Sequence, residues 1–241
     1  MLEPRQVAYL RALEVDIYVP RDAPMPLGVA ESVPVPAADT LVAPTAGLGW
    51  DDLRSAVAAC QSCELHQTRT QTVFGVGNPQ ARWMFIGEAP GMEEDARGEP
   101  FVGRAGQMLN AMIRALGMRR DDVFIANILK CRPPGNRDPK RSQATSCRGF
   151  LERQVALVAP TLVIAVGRIA AQSLLATDTP IAKLRGKIHT FGAQHWPLIV
   201  TYHPAYLLRS PGEKRKAWQD LLQARQLFAR LERESAGTGA A

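Results

Sequence analysis

The sequence predicts an α/β fold, a three-layer α/β/α sandwich around a central four-stranded parallel sheet. One observation is four short apolar segments, rich in Val and Ile and without polar alternation: residues 83–87, 123–129, 162–167 and 198–203. Such segments are typical of strands that are covered on both faces. The other observation is that segments with helical spacing lie between them. Alternation of strand and helix favours a parallel sheet.

Three helices are predicted between or after these strands, at residues 106–116, 141–158 and 168–176. In the first, five apolar residues fall on one stripe: Met108, Leu109, Met112, Ile113 and Leu116. Such a stripe is the pattern of a helix that packs one face on a sheet, and Gly117 is a suitable C-cap. Residues 188–191, IHTF, are predicted to form a further β-strand.

The chain is predicted to contain one folded domain, residues 50–233, between two segments that have no core. Residues 1–49 are predicted to be an N-terminal extension and a Pro/Ala-rich linker. Six prolines between positions 20 and 49 favour an extended chain over a packed one. Residues 234–241, ESAGTGAA, are predicted to be a disordered tail.

Charge is distributed unevenly along the 241 residues, which carry a net charge of +6. Residues 1–50 contain 3 Lys/Arg and 6 Asp/Glu, whereas residues 51–241 contain 26 and 17. This basic excess indicates either a polyanionic partner, with nucleic acid first, or a solvated basic surface. No apolar run is as long as a membrane span, and the N-terminus has no signal-peptide core. We therefore expect a cytoplasmic protein without a membrane partner.

Polar residues stand at the carboxyl ends of the predicted strands, where ligands of parallel α/β sheets bind. Glu88, Asn127 and His203 lie at three of these ends, and Phe101 lies in the glycine-rich segment after the first strand. An acid, an amide, an imidazole and an aromatic ring could together hold a flat heterocycle. Each also has an ordinary alternative, since a strand-end Asn can cap a turn and a lone His can be structural. The glycine-rich segment, residues 87–106, matches neither usual nucleotide-phosphate motif.

Four cysteines form two groups, Cys60 with Cys63 and Cys131 with Cys147. In a cytoplasmic chain, this arrangement favours a metal site over disulfides. The spacing does not choose between zinc and iron–sulfur, because the second pair is not a CxxC knuckle and four thiolates equally suit a [4Fe–4S] cluster. Unrelated buried thiols are a poorer explanation, because Cys131 lies in the charged, proline-rich segment KCRPPGNRDP.

Four segments of the chain resemble the family-four uracil-DNA glycosylases. They are GEAPG at 87–91, GEPFVGRAGQ at 98–107, NILKCRPPGNRDP at 127–139 and HPAYLLR at 203–209. The spacing of the cysteines matches as well, and the resemblance covers residues 51–231. It implies the uracil-DNA glycosylase fold and excision of uracil from DNA. It also implies a [4Fe–4S] cluster on all four cysteines: Cys60, Cys63, Cys131 and Cys147.

The resemblance further implies which residues bind the base. A base stacked in DNA must be flipped into a pocket before its glycosidic bond can be reached. Asn127 would pair with the edge of uracil, Phe101 would stack on its face, and Ala89 would contact it from the loop after the first strand. Glu94 would exclude the methyl group of thymine.

The same resemblance implies catalytic roles for Glu88, His203 and Asn127. The leaving group is a uracil anion, so charge develops on its O2 atom. His203 would donate a hydrogen bond there, together with backbone N–H groups of residues 87–91. Glu88 would orient the attacking water and stabilise the cationic sugar by its charge.

Contacts with DNA are expected from six residues that follow the second and fourth strands. Four of them are candidate phosphate contacts: Lys130, Arg132, Arg137 and Arg209. The other two, Leu207 and Leu208, resemble the loop that wedges into the base stack, as apolar side chains commonly do. We expect one of these two leucines to pack in the core instead.

We therefore expect a monomeric, monofunctional glycosylase for base excision repair that acts on uracil in single- or double-stranded DNA and needs no divalent metal. A cross-linking relative of this family carries a long basic insert after the second strand. The short segment here predicts no covalent trapping of DNA. Two alternatives are a non-catalytic iron–sulfur module that binds flipped bases in nucleic acid, and a zinc-stabilised nucleotide hydrolase. Intact Glu88, Asn127 and His203 disfavour the first, and the lack of a carboxylate cluster for Mg²⁺ disfavours the second.

Overall fold

The computed structural model describes the backbone of residues 45–238 and the side chains of residues 45–235. Most of the predicted N-terminal extension, residues 1–44, and residues 239–241 lie outside that range. Helices α1 to α8 are Trp50–Ala59, Met92–Arg97, Arg104–Ala115, Arg141–Val158, Arg168–Leu174, Ile181–Leu184, Pro204–Arg209 and Lys214–Thr238. Strands β1 to β6 are Val76–Gly77, Trp83–Gly87, Phe124–Asn127, Leu162–Val166, Ile188–Phe191 and Trp196–Thr201.

The strands form one sheet in the order β1-β3-β2-β4-β6-β5. The four inner strands are parallel, as predicted, and each includes most of its predicted residues. Short strands extend the sheet at both edges and run antiparallel, β1 beside β3 and β5 beside β6. The predicted strand at 188–191 is confirmed as β5. The two residues of β1 are too few to produce an apolar pattern, so the sequence did not predict that strand.

The inner strands are buried on both faces because their alternate side chains pack against two helical layers. Met84 and Ile86 of β2 belong to a core that includes residues of α1, α4 and α5. Trp83 and Phe85, which point the other way, belong to a second core with residues of α3 and α8. This two-sided burial confirms the predicted three-layer sandwich and explains why the strand sequences lack polar alternation.

The three predicted helices are confirmed as α3, α4 and α5, with ends that shift by two residues or fewer. Gly117 follows α3 with a φ of +85°, a conformation that favours glycine at the end of a helix. None of the helices in the described range has the length and apolar character that crossing a membrane requires.

The ends of the folded unit differ from the prediction. Thr45 Oγ1 donates to Gly149 O at 3.2 Å, and Arg153 Nε donates to Leu48 O at 2.7 Å. Residues 45–49 therefore pack on α4 instead of belonging to an extended linker. Helix α8 continues to Thr238, so the predicted disordered tail is wrong for residues 234–238. Adding a residue to an existing helix costs little, because nucleation has already occurred.

Candidate active site

A cavity of about 770 Å³ opens where β2 and β3 end. In the strand order, β3 and β4 lie on opposite sides of β2. The chain therefore places β3 on one side of β2 and continues with β4 on the other, which makes β2 the switch point of the sheet. Parallel α/β sheets bind ligands in the crevice at such a switch point. The lining includes eight of the predicted site residues: Glu88, Ala89, Glu94, Phe101, Asn127, Arg137, His203 and Arg209.

Asn127 presents a buried acceptor to this cavity. It is the last residue of β3 and pairs with Gly87 of β2. Its side-chain Oδ1 is buried and has no hydrogen-bond partner among the described residues. A Cβ atom at position 87 would lie 2.5 Å from Asn127 Oδ1 and 2.5 Å from the Phe101 ring, so only glycine leaves room for both. A buried acceptor without a partner among the described residues is costly, and a donor on a bound ligand would remove that cost.

Phe101 forms one wall of the cavity and is almost fully buried. Its φ is +54°, a left-handed conformation that costs energy for a bulky residue. The helix that follows packs closely, because a Cβ at Gly106 would lie 1.7 Å from Phe101 O. The ring centre is 5.7 Å from that of His203, with the planes inclined by 32°. The strained backbone thus holds an aromatic ring beside the imidazole.

His203 is held in one orientation at the start of α7. Its Nδ1 accepts a hydrogen bond from Ala205 N at 3.2 Å, so in the neutral ring Nε2 carries the proton. The pKa of His203 is lowered to about 4, mainly by burial and secondly by the Arg209 charge, against Glu94, which raises it. Gly167, with a φ of +99°, leaves space for the ring, because a Cβ there would lie 2.8 Å from His203 Cβ. At neutral pH the side chain is a neutral hydrogen-bond donor.

Glu88 stands immediately after β2 in the same cavity. Its pKa is raised to about 7, mainly by burial and secondly by the Asp138 carboxylate, while Arg168 lowers it. Arg168 Nη2 also donates to Asp138 Oδ2 at 2.6 Å. The acid is therefore poised to exchange a proton near neutral pH, which is the property that a general base requires.

Glu94 lines the cavity but its carboxylate is already used by the backbone. Oε2 accepts from Gly91 N at 3.1 Å, and Oε1 accepts from Val102 N at 3.0 Å and Gly103 N at 3.3 Å. Glu94 thus fixes the glycine-rich loop against the start of α3. Of the predicted N–H donors, that of Gly91 is already paired, whereas Ala89 lies at the cavity wall.

The predicted DNA contacts divide into two groups. Arg137 and Arg209 line the cavity, with Arg137 Nη1 donating to Gln143 Oε1 at 3.2 Å. Arg132 is not a lining residue, but its Nε donates at 2.7 Å to Oδ1 of Asn136, which lines the cavity.

One predicted contact, Lys130, is wrong, and one of the two leucines packs in the core, as expected. Leu207 is 0% exposed, whereas Leu208 is 37% exposed, because consecutive residues on α7 point about 100° apart. Leu208 therefore remains the candidate wedge. Lys130 is 1% exposed and cannot contact a phosphate in this structure. Its Nζ instead donates to Asn127 O at 2.9 Å and to Gln154 Oε1 at 2.6 Å.

Two charged residues that line this cavity, Asp138 and Arg168, were not predicted. A signal for Arg168 was present, because it follows the third predicted strand directly and so lies at the same edge of the sheet. Asp138 lies in the segment 130–139 that the cysteine pattern had already marked. Both charges act on the pKa of Glu88, which Asp138 raises and Arg168 lowers.

The four cysteines surround a second, narrow cavity, here called the cysteine cavity. Residues between the end of β3 and α4 line both this cavity and the first one. The lining of the cysteine cavity includes Cys60, Cys63, Cys131 and Cys147. Arg69 ties the two cysteine groups together, because its Nη1 donates to Cys60 O at 2.9 Å and to Cys131 Sγ at 3.1 Å. Burial raises the pKa of the Cys131 thiol and raises that of Cys147 to about 12.

The sequence left two groups open for the four cysteines, a zinc ion and a [4Fe–4S] cluster. In the described part of the chain, no three His, Cys, Asp or Glu side chains form a group that could hold a metal ion. A tetrahedral zinc site requires such convergence on one point. In a [4Fe–4S] cluster each iron takes one thiolate, and the four cysteines around this cavity provide that number of ligands.

Comparisons with known proteins agree with this geometry. Residues 74–222 match the family model of the uracil DNA glycosylase superfamily. A type-4 uracil-DNA glycosylase of Archaeoglobus fulgidus is 40% identical over 190 residues, which are 76% of this chain and 94% of that protein. A type-4 uracil-DNA glycosylase of Thermotoga maritima is 40% identical over 176 residues, or 71% of this chain and 91% of that protein. A type-5 uracil-DNA glycosylase of Thermus thermophilus is 32% identical over 180 residues, or 68% and 78%.

Proposed function

The chain belongs to the type-4 uracil-DNA glycosylases of the uracil-DNA glycosylase superfamily, and from that membership we propose that it removes uracil from DNA. The reaction hydrolyses the N-glycosidic bond and leaves an abasic site for base excision repair. The flipped nucleotide would enter the cavity at the ends of β2 and β3, since the bond is inaccessible while the base is stacked.

The unpaired Oδ1 of Asn127 is the observation that carries this proposal. Uracil presents an N3–H donor beside an O4 acceptor, and an asparagine amide offers the complementary acceptor and donor. N3–H of uracil would satisfy Oδ1, and O4 would accept from Nδ2. Cytosine has no proton on N3 and would leave Oδ1 unpaired. That difference is costly in a buried site and gives discrimination.

His203 would stabilise the departing uracil. As the glycosidic bond breaks, negative charge collects on O2, and the neutral ring offers its Nε2–H there. Because Nδ1 is already bonded to Ala205 N, the ring needs no reorientation in the transition state. Phe101 would contact the base plane, where stacking contributes about 1–3 kcal/mol per base.

Glu88 would act on the water that attacks C1′ of the sugar. In its ionised form the carboxylate can orient the water, accept a proton and stabilise the oxocarbenium-like sugar. Asp138 and Arg168 adjust its proton affinity in opposite directions. Glu94 would shape the thymine-excluding wall indirectly, by holding the loop that begins at Gly91.

The four cysteines would hold a [4Fe–4S] cluster with a structural role. The cluster would join the CQSC segment to α4 and to the segment after β3. No step of the hydrolysis requires redox chemistry or a divalent metal. We also infer a monomeric, cytoplasmic enzyme that accepts uracil in single- or double-stranded DNA, with Arg132, Arg137 and Arg209 near the phosphates and Leu208 as the wedge.

The test is alkali cleavage of a labelled oligonucleotide that contains one deoxyuridine, with EDTA present and with the His203→Ala variant in parallel. We expect strand breakage at the uracil and a rate about 10²–10³-fold lower in the variant, as for loss of one oxyanion donor. An iron-loaded protein that binds the oligonucleotide tightly without breaking it would overturn the enzyme assignment and favour a binding module.

A further inference from the structure

Lys130 lies between the two cavities and belongs to the lining of the cysteine cavity. Its side chain is almost fully buried, and its Nζ donates to Asn127 O at 2.9 Å and to Gln154 Oε1 at 2.6 Å. Gln154 is itself fully buried, and its Nε2 donates to Phe74 O at 2.8 Å. The lysine is thus one member of a connected, buried hydrogen-bond network.

The network acts on the peptide unit that carries Asn127. On one side of that unit, Ile128 N donates to Gly87 O at 2.9 Å. On the other side, the carbonyl oxygen of Asn127 accepts from Lys130 Nζ. With both polar groups of the peptide occupied, β3 cannot rotate at its last residue without breaking a buried hydrogen bond. The Asn127 side chain, whose Oδ1 has no hydrogen-bond partner in the described part of the chain, therefore takes its position from this backbone.

A buried ammonium group is costly unless negative charge compensates it. In the described part of the chain, no carboxylate forms a salt bridge with Lys130. The thiols of Cys131 and Cys147 face the same cavity and would be thiolates when they ligate iron. Gln154 stands two helical turns after Cys147 on α4, so the network also reaches the helix that supplies the fourth ligand.

We propose that Lys130 is a positioning residue: it fixes the Asn127 peptide for uracil recognition and couples it to the cysteine-bound cluster. The inference rests on the proposed function. It assigns Lys130 a role in base recognition, through Asn127, in place of the DNA-phosphate contact that the sequence indicated.

The experiment compares the full-length, iron-loaded chain with Lys130→Met, which keeps the length of the side chain and removes its amine. Lys187→Met is the matched control, because Lys187 is exposed and directly precedes β5. Strand β5 is the edge strand at the far end of the sheet from β1 and β3. Three quantities are measured: the single-turnover rate at saturating DNA, inhibition by free uracil, and affinity for an abasic oligonucleotide. Iron per chain and absorbance near 400 nm are recorded for each protein.

For Lys130→Met we expect a single-turnover rate about 10- to 100-fold lower, because small misplacement of a reacting group is costly. Inhibition by free uracil should weaken by about tenfold, whereas affinity for abasic DNA, which has no base to recognise, should change by less than about twofold. We also expect less iron per chain. Unchanged uracil inhibition and rate, in a protein that folds and holds DNA, would overturn the proposal.

A second variant keeps the test decisive if Lys130→Met does not fold. Gln154→Met removes one of the two acceptors of Lys130 and leaves the Asn127 contact, so we expect a smaller loss of uracil inhibition in the same direction. Equal loss of uracil and abasic affinity would contradict the positioning role. Failure of the unaltered enzyme to excise uracil would instead refute the proposed function, and that outcome is separate from either variant result.

Discussion

The base cavity, which opens at the ends of β2 and β3, and the cysteine cavity share one segment, the residues that run from the end of β3 into α4. The two cavities differ in whether their polar atoms have hydrogen-bond partners. In the base cavity, Asn127 Oδ1 is buried without a partner among the described residues, and the volume of about 770 Å³ is open to a ligand. In the cysteine cavity, the space is narrow, and Arg69 bonds to both a main-chain oxygen and a sulfur.

This difference indicates that the residues of the two cavities meet different requirements. Residues of the base cavity leave one buried acceptor unpaired or have shifted pKa values, features that typically lower stability and mark functional sites. Residues of the cysteine cavity join distant segments and should act on stability first. Substitutions in the two regions are therefore expected to have opposite signatures, and four predictions follow this contrast.

Asn127→Leu should give the largest effect on activity. It replaces the unpaired amide by an apolar side chain of similar size, so uracil loses its partner and kcat/KM should fall by about 10²–10³-fold. The same change removes an unsatisfied buried acceptor, so Tm should stay equal or rise by about 2–4 °C, or roughly 1 kcal/mol. Single-turnover kinetics and thermal unfolding measure the two. A strongly lowered Tm with retained activity would break the comparison.

Cys147→Ser should have the reverse signature. It removes one of four thiols from the cavity, so iron per chain should fall by more than half. Because metal binding is coupled to folding, Tm should fall by about 5–10 °C. Thr145→Ala is the control and should keep its iron, because this half-buried residue of the same helix donates from Oγ1 only to Arg141 O. Zinc in place of iron, without absorbance near 400 nm, would refute the cluster.

Glu88 should make activity depend on pH while His203 does not. With a pKa of about 7, the ionised fraction of Glu88 rises with pH, so kcat/KM should increase about tenfold between pH 6 and pH 8. His203, with its pKa lowered to about 4, is neutral throughout that range. Glu88→Gln should be slow and nearly independent of pH. A profile that falls with rising pH would contradict the assignment.

Leu208→Ala should give the smallest effect. Leu208 is exposed on α7, so Tm should change by less than about 2 °C, since surface changes typically stay within about ±0.5 kcal/mol. If it wedges into the stack, kcat/KM on double-stranded DNA should fall by about three- to tenfold. Single-stranded DNA needs no wedge and serves as the internal control. Equal losses on both substrates would exclude this role.

Local sequence patterns determined much of the architecture. Uninterrupted Val- and Ile-rich runs specified the four parallel strands, because residues buried on both faces of a sheet show no polar alternation. The position of strand ends then brought Glu88, Asn127 and His203 to one edge, where the structure places them around one cavity. The grouping of the cysteines indicated a metal site, and the family resemblance implied that all four belong to it; the structure places all four around one cavity.

Other features were decided by tertiary contacts. Lys130 stands in a charged segment and was predicted to meet DNA, but its amine points inward to Asn127 O and Gln154 Oε1. Leu207 and Leu208 are identical in type, and only the packing of α7 determines which is buried. Strand β1 has two residues and depends on its pairing with β3.

The sequence by itself thus determined the strands, the polar residues at their carboxyl ends and the grouping of the cysteines, since each depends on periodicity and spacing along the chain. Tertiary structure decided which way individual side chains face and which polar atoms remain unpaired, including the Oδ1 of Asn127. Those properties depend on partners that are far away in sequence: Gln154 for Lys130, Ala205 and Gly167 for the imidazole of His203. Local patterns carry no information on such contacts until the chain has folded.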